Sequence, residues 1–275
     1  AAIEKVLDSG TLVFGESLKT FEKQFSKYCD SQFGVGVGTC TDALTLSLRA
    51  VGIKRGDEVI TVSNTAIPTV SAIVQADAVP VFVDVKEDDF LMDLDLVEKA
   101  ITPKTKCIMV VHLFGQCVDM DRIEQIAKKY GLKVIEDCAQ AHGSTYKGRK
   151  AGSMSDASAF SFYPTKTLGT YGDGGIIITN DELIAVKCRK YADLGYRTLT
   201  AKPISNEDIK EKIQQPDFKR HELVGYNFRM PEVCAAMGLA QIEKVDDLIE
   251  KRIAIAELYE KSIEGCNWLS PQKTP

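Results

Sequence analysis

The sequence predicts an α/β fold built on a mostly parallel seven-stranded sheet flanked by helices. Seven short runs rich in β-branched residues recur along the chain, and stretches with apolar residues at three-to-four-residue spacing lie between them. Strands that alternate with helices in this way pair in parallel, because each crossover lays a helix over one face of the sheet. At 275 residues the chain is long enough to enclose one large core and an appendage.

The elements follow in order. A helix-like phrase opens the chain at 1–5. Strands are expected at 35–38, 58–62, 80–85, 107–111, 133–137, 157–162 and 174–179. Crossover helices are expected at 41–51, 69–76, 93–101, 119–130 and 181–194, with Asp93, Asp119 and Asp181 where N-caps belong. The polar stretch 202–220 contains Pro203 and Pro216 and reads as an exposed excursion. After Pro231 a periodic pattern runs to about Gly265, as one or two helices leading away from the sheet.

Composition narrows the function classes. A net charge of −5 and no clustered basic face argue against nucleic-acid binding, and no apolar run reaches the roughly 20 residues of a membrane span. The eight cysteines are scattered without a CxxC pair, so they read as reduced packing residues of a cytoplasmic protein rather than a zinc or redox site. No secretory pattern precedes the first helix, and both ends of the sequence look trimmed.

Three places at the carboxyl ends of predicted strands carry chemistry, and ligands of open α/β sheets bind at that edge. In Gly38-Thr39-Cys40-Thr41-Asp42 a strand breaks and a helix starts among small residues, which offers free backbone N–H groups to a phosphate or is an ordinary cap. In Val134-Ile135-Glu136-Asp137 an acid ends an apolar strand. Asp137 is then either a helix cap or the partner of a cation such as a protonated pyridine nitrogen. His142, five residues on, reads as a packed or solvent-facing residue. In Phe160-Ser161-Phe162-Tyr163-Pro164-Thr165-Lys166 a strand stops at a proline and presents a lysine. That amine is either a solvated surface charge or, desolvated, a Schiff-base nucleophile. Gly169, Gly172, Gly174 and Gly175 permit a close backbone approach to a ligand.

Together with Ala78-Val79-Pro80-Val81-Phe82-Val83-Asp84, Val111-His112-Leu113-Phe114-Gly115-Gln116 and Gly225-Tyr226-Asn227-Phe228-Arg229-Met230, these phrases resemble the DegT/DnrJ/EryC1/StrS family of pyridoxal 5'-phosphate (PLP) sugar aminotransferases, over essentially the whole chain. The resemblance implies the aspartate aminotransferase fold, fold type I. It implies that Lys166 carries PLP covalently and shuttles the proton, and that Asp137 pairs with the pyridine nitrogen. Gln140 would contact the phenolic oxygen, while Cys40 and Thr41 amides and the Ser161 hydroxyl would hold the phosphate. Asn227 would reach the phosphate from the other subunit of a homodimer.

The same resemblance implies L-glutamate as amino donor and a nucleotide-linked ketosugar as acceptor, in polysaccharide or glycosylated natural-product synthesis. The phrase Asp137-Cys138-Ala139-Gln140-Ala141-His142-Gly143 looks more like the branch acting at sugar carbon 3 than at carbon 4. A sugar dehydratase of this family carries histidine in place of the cofactor lysine, unlike this chain. A regulatory member without turnover is the other alternative. Two departures stand out. Thr65-Ala66-Ile67 occupies the place of an aromatic residue that stacks on the pyridine ring, so Ala66 would face the ring instead. The family's C-terminal small domain also extends roughly another hundred residues, a typical domain length. Residues 1–230 are therefore expected to form the PLP-binding large domain and 231–275 the helical start of the small one.

Overall fold

A computed structural model describes residues 1–196 and 220–273 of the chain. Its strands are β1 (Phe33–Val37), β2 (Glu58–Val62), β3 (Val79–Val83), β4 (Thr105–Val111), β5 (Lys133–Asp137), the short hairpin β6 (Thr145–Tyr146) and β7 (Arg149–Lys150), β8 (Ala157–Ser161) and β9 (Gly175–Thr179). All but the hairpin join one seven-stranded sheet in the order β1-β9-β8-β5-β4-β2-β3. The pairs from β8 to β3 are parallel, and β9 alone is reversed, antiparallel to both β1 and β8. The predicted fold class is the observed one. Strand limits differ by one or two residues. Pro80 is tolerated because β3 is an edge strand with β2 as its only neighbour, so a missing N–H breaks no ladder on the open side.

The described helices are α1 (Ala2–Ser9), α2 (Glu16–Tyr28), α3 (Cys40–Ala50), α4 (Ile67–Gln75), α5 (Leu94–Ala100), α6 (Met120–Tyr130), α7 (Glu182–Ala192), α8 (Glu232–Ile242) and α9 (Val245–Ile263). Each predicted aspartate cap forms: Asp93 accepts from the Asp95 amide, Asp119 from Arg122, and Asp181 from Leu183 and Ile184. The periodic stretch after Pro231 resolves into two helices, and nearly all of α9 beyond Glu250 is exposed. The excursion at 202–220 lies outside the described residues except for Arg220. None of the described helices is long and apolar enough to cross a membrane.

Side-chain alternation along the strands divides the core between the two faces of the sheet. On one face Cys107, Met109, Ile135 and Ile177 pack with the apolar sides of α3, α4 and α7. On the other, Ile108, Val110 and Val134 meet α5 and α6, while Ile176 and Ile178 meet α2 and α8. Phe21, Phe25, Phe160 and Phe162 are fully buried there, in edge-to-face or tilted contacts 5.0–5.9 Å between centroids. Each contributes roughly 1.5–3 kcal/mol from burial alone.

The N-terminal segment is fastened by a residue far along the chain. Glu232, at the start of α8, is buried, and its carboxylate accepts the N–H groups of Gly15 (2.6 Å), Ser17 (3.0 Å) and Leu18 (3.2 Å). Those amides open α2 and have no partner within their own helix, so a distant anion caps it.

Candidate active site

Because successive β5 residues face opposite sides, Glu136 and Asp137 enter different environments. Asp137 turns to the side of α3 and α4. It is 5% exposed, and among the described residues it forms no ion pair. Its Oδ2 accepts from the Thr69 hydroxyl at 2.7 Å and its Oδ1 from the Ala139 amide at 3.1 Å. Burial pushes its carboxyl above the usual range, against the pull of those two donors and of nearby His112 and Lys166. A desolvated carboxylate with only two neutral donors suits a cationic N–H partner.

Glu136 belongs to a different network. Its carboxylate accepts from the amides of Gly152 (2.9 Å) and Met154 (3.0 Å) and from His112 Nε2 (2.9 Å). His112 Nδ1 accepts from the Val118 amide at 3.2 Å, which fixes the proton on Nε2. Burial alone would raise the Glu136 pKa, but His112 and these amides bring it below the usual range. Cys138 lies close enough to make a metal-like trio with His112 and Glu136. The donors already occupying the carboxylate mark the trio as a satisfied structural network instead.

β9, β8 and α3 converge at a turn that presents free backbone amides. Thr39 caps α3, taking the Asp42 amide at 3.0 Å. Helix geometry leaves the Cys40 and Thr41 N–H groups without intrahelical acceptors. Gly175 sits opposite Ser161 and Val37 in the sheet, and a Cβ on it would lie 2.5 Å from the Thr39 carbonyl and 2.6 Å from the Cys40 nitrogen. Ser161 therefore ends β8 beside the turn that offers those amides. Of the other glycines singled out, Gly172 has nothing within 4 Å of such a Cβ, so its place is not a forced close approach.

Lys166 lies in the loop between β8 and β9, half-buried between the fully buried anchors Phe162 and Leu168. Its amide donates to the Tyr163 carbonyl at 2.9 Å, and the loop is closed by Phe162 N–H to Gly174 O and Thr170 N–H to Phe162 O. Its ammonium is near enough to favour the charged forms of both Asp137 and Cys40. Lys166, Asp137 and Cys40 thus share one electrostatic neighbourhood at the carboxyl edge of the sheet.

Gln140 is half-buried, and its Oε1 accepts from the Phe114 amide at 2.8 Å. That bond turns the amide NH2 away from Phe114, leaving it for an acceptor such as a phenolate. Phe114 is left-handed (φ 57), a conformation costly for a side-chain-bearing residue, so the turn stores strain where it holds Gln140. Ala66 is exposed at the start of α4. Asn227 is also exposed and pairs with Asp193 through its backbone, on the strip that runs past the end of β1. No described contact brings Asn227 to Lys166 or Asp137. His142 proves to be the packed alternative: it is buried among Phe25, Phe160 and Phe162, neither ring nitrogen is hydrogen-bonded, and burial lowers its pKa to about 4.

The model of the DegT/DnrJ/EryC1/StrS aminotransferase family matches residues 1–275. The chain belongs to this family. It is 46% identical over 258 residues to the dTDP-3-amino-3,4,6-trideoxy-alpha-D-glucose transaminase of Micromonospora megalomicea, a match covering 94% of the chain and 64% of that protein. The chain therefore spans less than two thirds of that relative's length.

Among solved structures, DesV of S. venezuelae, in complex with a ketimine intermediate, superposes with a TM-score of 0.90 at 39% identity, covering 100% of this chain and 69% of that one. NtdA of Bacillus subtilis, with bound cofactor PMP, superposes with a TM-score of 0.85 at 31% identity, over 99% of this chain and 59% of that one. NtdA, a neighbour of this chain in fold and sequence, thus carries a pyridoxal-type cofactor.

Proposed function

We propose that this family member is the cofactor-binding part of a PLP-dependent aminotransferase. It exchanges an amino group between L-glutamate and the keto group at carbon 3 of a nucleotide-linked deoxysugar. The observation that carries the reading is Asp137, a buried carboxylate that forms no ion pair among the described residues, set in one neighbourhood with Lys166 and the α3 amides. The activity of the Micromonospora relative, a 3-amino-sugar transaminase, supports the sugar and the carbon. PLP, when bound, supplies an electron-accepting ring to the carbon that loses or gains the amine.

The chain's own residues do the rest. Asp137 keeps a proton on the ring nitrogen, and the Cys40 and Thr41 amides with the Ser161 hydroxyl hold the phosphate. Gln140 donates its NH2 to the phenolic oxygen. Lys166 Nζ would be the attachment point and would carry the proton to and from the reacting carbon, so one amine would serve both half-reactions. Ala66 would meet the ring face with only a methyl group.

Residues 1–230 act as the PLP-binding domain and 231–275 begin the small domain, in a cytoplasmic homodimer. Exposed Ile67, Val74, Val79 and Phe82, along α4 and the open edge of β3, support a second copy as neighbour. Asn227 would reach that copy's phosphate.

Lys166→Ala in the full-length protein tests the catalytic reading. It should fold and lose transamination, and the absorption band near about 400 nm that bleaches when glutamate is added to the wild type should be absent. Turnover at a rate comparable with wild type would overturn it. Mixing Lys166→Ala with an inactive Asn227→Ala under subunit exchange should restore roughly a quarter of the wild-type activity per site, because only mixed dimers hold one intact site. No recovery would remove the shared site.

A further inference from the structure

The two hydroxyls behind Asp137 form a chain with a single possible direction. An ionised carboxylate only accepts, so the one Thr69 proton is committed to Asp137 Oδ2 at 2.7 Å. Thr65 Oγ1 lies 2.8 Å from Thr69 Oγ1, and with the Thr69 proton already spent the donor there is Thr65. Thr69 is fully buried in the first turn of α4, and Thr65 is half-buried two residues before that helix. Ala66 lies between them at the rim. The chain thus runs from the half-buried Thr65 before α4 down to the buried carboxylate of Asp137.

We propose that Thr69, backed by Thr65, is a positioning residue for transamination. Its hydroxyl keeps Asp137 ionised and assigns the carboxylate's remaining lone pairs to the cationic ring nitrogen. With Ala139 N–H on Oδ1 and Thr69 O–H on Oδ2, each oxygen has one fixed donor, and the carboxylate plane cannot swing without breaking one of them. Donation from Thr65 polarises the Thr69 hydroxyl and strengthens its bond to Asp137. The inference rests on the PLP reading above.

A plain structural tie between α4 and β5 would use the same two bonds, so the test needs a readout that such a tie does not move. In the full-length protein loaded with PLP, Thr69→Val, Thr69→Ser and Thr65→Val are compared with wild type for the PLP dissociation constant and for the pH midpoint of the visible absorption change of the bound cofactor. Thr69→Val should weaken PLP binding roughly ten- to a hundredfold, the range for one hydrogen bond to a charged group. Its pH midpoint should rise by at least about half a unit, because a ring nitrogen that keeps its proton less firmly withdraws less charge from the lysine-linked end. Thr65→Val should move both quantities in the same direction by less, and Thr69→Ser should restore both.

A Thr69→Val protein that binds and titrates like wild type overturns the inference and leaves the PLP reading standing. So does a Thr69→Ser protein no better than Thr69→Val. If Thr69→Val does not fold, Thr65→Val decides, and an unshifted midpoint there overturns the proposal. A wild-type protein that takes up no PLP overturns the cofactor reading and this inference together.

Discussion

Gly175→Ala places one methyl group where the turn before α3, the proposed phosphate cradle, leaves no room. The added Cβ would lie 2.5 Å from the carbon and oxygen of Thr39 and 2.6 Å from the Cys40 nitrogen. Ordinary contact starts at 3.4 Å, so the turn has to retreat by roughly 0.9 Å. All three atoms are backbone and cannot rotate aside. Gly175 cannot retreat either, since β9 is held between Val37 on one side and Ser161 on the other.

Overpacking of this kind costs about 1–3 kcal/mol. The displaced atoms also carry the amides offered to phosphate, and a hydrogen bond stretched by most of an ångström is lost. Losing one bond to a charged group weakens PLP binding about tenfold or more. Urea denaturation of the cofactor-free protein and an absorbance titration with PLP read the two effects separately. Gly172→Ala is the control, because nothing lies within 4 Å of its added Cβ, and it should change stability by less than about 0.5 kcal/mol. A Gly175→Ala protein that denatures and binds PLP like the control would refute the close contact as a constraint on the cradle.

Glu232→Gln keeps the shape of the distant cap but removes its charge, and should destabilise by on the order of 2 kcal/mol in urea denaturation; a change below about 0.5 kcal/mol would deny it the anchoring role. His142 has a folded pKa near 4, below its ordinary 6.5, so the unfolded chain binds the extra proton first and stability falls as pH drops from about 6.5 to about 4. The His142 share of that loss is about 3 kcal/mol, and His142→Leu should flatten the pH dependence by that order; parallel wild-type and variant curves would contradict it. Of the eight cysteines, Cys29, Cys40, Cys107, Cys138 and Cys188 are buried, so a thiol reagent should label at most Cys117, Cys234 and Cys266 before unfolding, as mass spectrometry would show.

The sheet was legible because strands covered on both faces are written as short apolar runs, and because aspartate caps mark helix starts at positions such as Asp93 and Asp119. Asp137 was legible for a related reason: an acid closing a buried strand demands a partner. Its actual partner was not, since Thr69 stands 68 residues away and a hydroxyl in a first helical turn looks like any other. Helix α2 hid in a polar composition, although Leu18, Phe21 and Phe25 form its buried stripe. Glu232 and Gly15 are 217 residues apart, a pairing that no local pattern encodes. The Glu136–His112 pair was masked because the alternation that turns one β5 acid to the site turns its neighbour away from it.

The position of β1 at the end of the sheet has a consequence for the growing chain. Its partner within the sheet is β9, about 140 residues downstream, and α2 beside it waits still longer for Glu232. At synthesis rates of ~5–20 residues per second, the first strand leaves the ribosome on the order of ten seconds before its hydrogen-bonding edge exists. The phosphate turn that follows β1 is drawn against Gly175 only when that edge arrives, and Lys166 emerges shortly before it. On the proposed reading, cofactor capture is postponed until nearly the whole sheet has been made, and a nascent chain interrupted earlier holds Lys166 without the turn before α3 in place.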